Sequence, residues 1–299
     1  MTPEPCVPQT DASGRELTEH GTTLFPVGCY HDDLNQFSVP WHWHDELEAF
    51  FVSEGQVFAA VGTAKLTLRQ GEGLFINAGI LHSVQKAGSG GCRLHSLVFH
   101  PRLAGGSMDS VFWQNYVHPL IRNKRLEYVL LNSSDTWEKE ALESIEGAWQ
   151  SYTLKSSGYE FQVRSALSWL LFLLSKHCPP GTLLPSEKAL RDSARAKLML
   201  QYIQEHFSEE ISTAQIAACA GISESECLRC FRSIIGVPPV RYLRQYRIQQ
   251  AAALLASGRQ RIAEIGAQCG FSDTSYFTKI FREQTGCTPS EYRRSFTLS

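Results

Sequence analysis

Two stretches in the C-terminal third, about 50 residues apart, follow one sequence grammar, so that third must fold as two copies of one small unit. The first reads IAACAGISESECLRCFRSIIGVPPVRYLR and the second IGAQCGFSDTSYFTKIFREQTGCTPSEYRR. Gly221 pairs with Gly270 and Ser223 with Ser272 at an offset of 49. Phe231 with Phe281, Arg232 with Arg282, Gly236 with Gly286, Pro239 with Pro289 and Tyr242 with Tyr292 pair at 50. One residue has therefore been gained or lost inside the unit.

Each copy is a short apolar-periodic helix, a Gly-apolar-Ser turn, and an amphipathic second helix closed by Gly and Pro. Gly221 and Gly270 supply the positive φ of a tight turn, Ser223 and Ser272 are expected N-caps, and Gly236 and Gly286 fall at the C-caps. This is the pattern of a helix-turn-helix, whose second helix enters the major groove of DNA. Aligning the copies sorts core from surface. Phe277, Ile280 and Phe281 match Cys227, Cys230 and Phe231 and face inward. Leu228, Arg229 and Arg232 match Thr278, Lys279 and Arg282 and face outward. Cys227-Leu-Arg-Cys230 has the spacing of a redox or zinc motif, but both cysteines take apolar positions and read as small buried hydrophobes.

Charge agrees with a nucleic-acid role for this third. Residues 195–299 hold 13 Lys+Arg against 9 Asp+Glu, whereas the remainder holds 15 against 21. Between the copies, PVRYLRQYRIQQAAALLAS begins with Pro and keeps a helical period, which predicts a helix fixing the separation of the two units.

The stretch from about Ala196 to Phe296 resembles the DNA-binding domain of the AraC/XylS family, including Arg247-Ile248 followed by Ala251 to Leu255 in the linker helix. The second unit follows the family signature nearly throughout. The first departs from it where Cys227 replaces a usual Leu and Leu228 a small polar residue. The resemblance implies DNA-binding roles for Ser223 and Thr278, base edges for Ser225, Glu226 and Arg229 and, in the second unit, for Asp273, Thr274, Ser275 and Lys279, and a thymine methyl for Leu228. Arg232 and Arg282 are placed for phosphates, which position without specifying.

From Phe25 to His100 short apolar stretches alternate with Gly, as in LEAFFVSEG, QVFAAVG, AKLTLRQG and GLFINAG, and predict an antiparallel barrel. Within it PWHWHDELE and GEGLFINAGILH resemble the two motifs of the cupin superfamily. That resemblance makes His42, His44, Glu48 and His82 candidate ligands for a divalent metal, although no cofactor is expected, since AraC-type sensor domains commonly keep this shell without one. The alternative is an effector pocket for a small organic molecule, lined by Trp43, His44, Glu48, Phe50, Phe58, Phe75, Asn77 and His82, with Trp41 nearby.

Residues 109–177 return to a helical period. Phe161, Leu167, Leu170, Leu171 and Leu174 make a wide apolar stripe, assigned by the family resemblance to a homodimer interface and otherwise read as a cover for the barrel. The expected organisation is α+β: an arm (1–24), a cupin-like barrel (25–105), a helical dimerisation region (106–178), a linker (179–194) rich in Pro, and a DNA-binding domain (195–299). The last has helix-turn-helix units near 197–236 and 261–286 about a linker helix near 239–257. Nine scattered cysteines fit reduced thiols, and the N-terminus lacks the succession of a secretory signal, so a cytoplasmic location without membrane insertion is expected. Two functions remain: a transcription regulator, by family habit an activator, answering to a small effector and working with RNA polymerase, or a metal-dependent cupin enzyme or metal sensor fused to a DNA-binding module. The first is preferred, without enzymatic turnover.

Overall fold

The computed structural model describes residues 15–123, 125–178, 186–257 and 260–297. They form two units, Arg15–Ser193 and Ala194–Ser299.

The first unit is built on two antiparallel sheets. Strands β1 (Val27–Asp33), β2 (Val39–His42), β3 (Leu47–Glu54), β4 (Gln56–Val61), β5 (Ala64–Arg69), β6 (Gly73–Ile76), β7 (His82–Lys86), β8 (Arg93–Phe99) and β9 (Tyr128–Leu131) are arranged β1-β8-β3-β6-β9 and β2-β7-β4-β5. Side chains alternate across a strand, and β3 is buried on both faces. Phe50 and Val52 join Val57, Ala59, Leu74, Ile76 and Val84 between the sheets. Leu47 and Ala49 instead join Phe75, Leu97 and Phe99 beneath the helices. One register irregularity bears on the site. Val39 pairs with Val84 and His42 with His82, so β2 carries one extra residue, and this bulge returns His42 to the inward face that Val39 occupies.

Five helical segments follow or interrupt the sheets: α1 (Arg102–Gly105), a π-helical turn (Trp113–Val117), α2 (His118–Arg122), α3 (Thr136–Leu154) and α4 (Tyr159–His177). Strand β9 lies among them, inside the stretch expected to be helical. Its four residues YVLL are too short for their periodicity to distinguish strand from helix, and pairing with β6 decides the matter. Leu167, Leu170, Leu171 and Leu174 of α4 are at most 1% exposed and pack with Ala141, Leu142, Ile145 and Ala148 of α3. The expected dimer stripe is thus core within the subunit. Of its five members only Phe161 stands out to solvent, at 79% exposure.

Helix α5 (Glu187–Glu205) runs across the boundary at 193/194, and the second unit is helical throughout its elements: the rest of α5, α6 (Thr213–Cys219), α7 (Glu224–Ile234), α8 (Pro239–Ser257), α9 (Ile262–Gln268), α10 (Thr274–Thr285) and α11 (Pro289–Thr297). Helix α5 takes up the last eight residues of the expected linker, 187–194, because KALRDSARAKL is a strong helix former. The rest of that linker, 179–185, lies outside the described residues. Ile248, Ala251 and Leu255 of α8 share one core with Ile265, Phe277, Ile280 and Phe281, so the linker helix is part of the second helix-turn-helix. Among the described residues no helix is long and apolar enough to cross a membrane.

Gly221 and Gly270 both have positive φ, at 65° and 78°. Their surroundings differ. A Cβ on Gly221 would meet nothing within 4 Å, whereas one on Gly270 would lie 2.8 Å from the Phe207 carbonyl oxygen and 2.9 Å from the Arg247 guanidinium. That crowding exists because Arg247 Nε donates to Phe207 O at 2.6 Å and its Nη2 to Glu209 O at 2.6 Å, tying α8 to the loop after α5. In urea unfolding of the full chain, Gly221→Ala should cost about 1 kcal/mol, the backbone penalty alone, and Gly270→Ala roughly twice that or more. Equal costs would show that the turn yields without disturbing Arg247.

Candidate functional site

Two faces of the second unit and one buried cluster of the first carry recognisable chemistry. On α7, Cys227, Cys230, Phe231 and Ile234 are buried while Ser225, Arg229 and Arg232 are exposed. On α10, Phe277, Ile280 and Phe281 are buried while Thr274, Ser275, Lys279 and Arg282 are exposed. The two patterns superpose at an offset of 50. Burial pushes the Cys227 thiol up to about 11, the opposite of what a redox or zinc thiolate requires.

The helix starts locate the inserted residue. Ser223 Oγ accepts from the Glu226 amide at 3.3 Å, as expected, but in the second copy the cap is Asp273, whose Oδ1 accepts from the Tyr276 amide at 2.6 Å. Ser272 is therefore the extra residue of the second turn, and Asp273 is the true counterpart of Ser223. Both caps are committed to the backbone. Glu226 is committed as well, through an ion pair at 2.8 Å from Arg195 Nη1. Leu228 and Thr278 are half-buried, and Thr278 Oγ1 donates to Thr274 O at 2.9 Å. Sequence comparison passed over Tyr276, which stands 48% exposed on α10 at the position of Glu226; the unlike residue types hid the correspondence.

In the first unit His42, His44, Glu48 and His82 come together, all buried, with one ligand atom of each within 4.8 Å of the others. The imidazoles share one arrangement. Nδ1 of His42 donates to Pro40 O at 2.8 Å, that of His44 to Glu46 O at 3.1 Å, and that of His82 to Ile80 O at 2.7 Å. A carbonyl oxygen can only accept, so each Nδ1 carries the hydrogen, and in the neutral ring the Nε2 lone pair faces the centre. Glu48 Oε2 lies 3.3 Å from His44 Nε2 and 2.8 Å from His82 Nε2. Burial works to raise the Glu48 carboxyl, but His82 and His44 outweigh it and hold it well below the usual carboxylate range. Burial, reinforced by His82, pushes His42 down to about 3 and keeps its imidazole neutral.

Two residues of the segment before β1 complete the cluster, Glu16 and His20. Glu16 Oε2 lies 3.7 Å from His42 Nε2 and 3.3 Å from His20 Nε2, and its side chain is fully buried. The segment is held by a hydrogen bond that the Glu16 backbone N–H donates to Trp43 O at 2.8 Å and by His20 Nδ1 at 2.7 Å from the Tyr30 hydroxyl. Nothing in the sequence marks these two, since they fall outside the histidine motif, within a polar stretch read only as an arm.

Comparison with known proteins agrees with both halves of this description. Residues 25–171 match the AraC-like ligand binding domain and residues 216–295 a helix-turn-helix domain. Over 290 residues the chain is 31% identical to the HTH-type transcriptional regulator YdeC of Bacillus subtilis, covering 95% of this chain and 97% of that one. The chain belongs to the AraC family. It is also similar to the HTH-type transcriptional activator RhaS of Klebsiella pneumoniae, at 29% identity over 36% of this chain and 39% of that protein. Among solved structures, apo ToxT from Vibrio cholerae aligns over 92% of this chain and 98% of its own at 14% identity, with a TM-score of 0.45.

For an AraC-family ligand-binding domain, the residues expected to line an organic pocket are only partly convergent. His44, Glu48, Phe50 and His82 face the space between the sheets. Phe75 points to the helical side, packed with Leu97 and Phe99. Phe58 lies on the outer face of β4, because Val57 and Ala59 take the inner one. Trp43 is half-buried in the bridge to Arg15. Asn77 is a structural clamp: its Nδ2 donates to Leu120 O at 3.1 Å and Leu126 O at 2.9 Å, and its Oδ1 accepts from the Ala78 amide.

Proposed function

We propose that this AraC-family protein is an effector-controlled activator that lays α7 and α10 in successive major grooves of one operator, as a homodimer in the cytoplasm and in contact with RNA polymerase. The observation that carries the reading is the matched pair of exposed faces on two copies of one scaffold. Ser225 and Arg229 on α7, and Thr274, Ser275 and Lys279 on α10, are the exposed groups placed to meet base edges, with Tyr276 added to them. Ser223 and Asp273 act through the helix starts they cap, and Glu226 through the orientation of Arg195. Arg232 and Arg282 take phosphates. Relatives that are transcriptional regulators favour regulation without turnover.

Genome-wide mapping of bound sites supplies the operator, and footprinting on it tests the reading. One chain should protect two major-groove patches about one helical turn apart. Arg229→Ala should relax base preference in one patch and Lys279→Ala in the other. Equal affinity for the operator and for a random duplex at physiological salt would overturn the proposal.

A further inference from the structure

We propose that the first unit binds one divalent transition-metal ion through His42, His44, Glu48 and His82, and that Glu16 closes this site, so that ion binding and seating of the segment before β1 are one equilibrium. The inference deepens the regulatory reading and rests on it, because the ion then supplies the effector or the anchor for one.

Three observations point to an ion in place of an organic ligand. The Nδ1 bonds fix all three imidazoles in the tautomer that turns Nε2 inward, the arrangement by which outer-shell carbonyls prepare histidine for a metal. His82 Nε2, buried and 2.8 Å from Glu48 Oε2, makes no hydrogen bond, so a polar atom aimed into the centre of the cluster is left without one. The spacing is also close to that of a coordination shell. Metal–ligand bonds of ~2.1 Å allow ligand atoms at most ~4.2 Å apart, so a spread of 4.8 Å closes with shifts of a few tenths of an ångström. Meanwhile Phe58, Phe75 and Asn77 point elsewhere or are already bonded, which leaves an organic guest little lining.

Three imidazoles and a carboxylate select borderline first-row ions, manganese to zinc, over calcium or magnesium. Glu48 supplies one negative charge to a buried dication. Glu16, at 3.7 Å from His42 Nε2, supplies the second from a separate chain segment and brings the site to neutrality. The pairing of Glu16 with His20, itself bonded to Tyr30, gives that carboxylate a fixed position.

The test uses the full chain with any tag removed, stripped with chelator and titrated separately with Co2+, Ni2+, Zn2+ and Mn2+. Elemental analysis after desalting should find one ion per chain. Glu48→Gln, nearly isosteric and checked for folding by circular dichroism, should weaken binding at least a hundredfold. Glu16→Gln should weaken it about tenfold, alter the Co2+ absorption spectrum, and abolish ion-dependent protection of residues 15–24 from hydrogen exchange. Wild-type protein that retains no stoichiometric ion overturns the site, whatever the variants do. Unchanged affinity, spectrum and exchange in Glu16→Gln overturn the role of Glu16. Operator binding measured in parallel separates the two readings: its persistence without ion binding sinks this inference alone, and its absence sinks the regulatory one.

Discussion

Replacing Leu170 by Ala is expected to cost the N-terminal unit about 3 kcal/mol of unfolding free energy and to leave its association state unchanged. Leu170 is fully buried in the layer where α4 meets α3 and the five-stranded sheet, so truncation removes contacts and leaves a cavity that rigid neighbours fill poorly. For a unit of this size that corresponds to roughly 10 °C in Tm. Thermal unfolding and sedimentation on one sample read both quantities. Dissociation into monomers at an unchanged midpoint would return these leucines to an interface. Trp169 and Phe161, 50% and 79% exposed on the same helix, are the contrasting sites, where Ala substitution should barely move the midpoint.

Arg232→Ala and Arg282→Ala should each lower operator affinity about tenfold at low salt and reduce the slope of log K against log salt by about 1. Both guanidinium groups are exposed at corresponding places on α7 and α10, one turn beyond the residues proposed to read bases. They belong to different helix-turn-helix units, so the double variant should lose roughly a hundredfold. The loss should be the same on any sequence the protein binds, because phosphates are the same everywhere. A loss confined to one base pair of the operator would make the residue a base reader, and an unchanged salt slope would remove it from the interface.

The two halves of the chain differ in how much of them could be read in advance. In the C-terminal third the duplication works as an internal control. Cys227 alone is ambiguous, but opposite Phe277 it is a core position, and its 0% exposure agrees. In the barrel, strand alternation leaves open which face is inside when both faces are buried. Phe50 and Phe75 are equally apolar and both fully buried, yet one lies between the sheets and the other under the helices. Asn77 looked like pocket polarity because nothing local tells that the carbonyls of Leu120 and Leu126 lie over it. The stripe on α4 was legible as apolar but not as internal, since helical period reports a buried face without naming what buries it. Glu16 and His20 reach the histidine cluster through a contact with Trp43, which is long-range information that no sequence motif holds.

The bulge in β2 has a consequence for how such domains diverge. Because the stretch from Val39 to His42 carries one residue more than the β7 stretch it pairs with, loss of a single codon between them would restore plain alternation with His42 still opposite His82 and still facing inward. The strand and its pairing with β7 would survive almost unaltered. A lineage could thus gain or lose the bulge in one mutational step while keeping both the architecture of the barrel and its inward imidazole, so relatives that share this chemistry can differ by one residue in the spacing that leads to it.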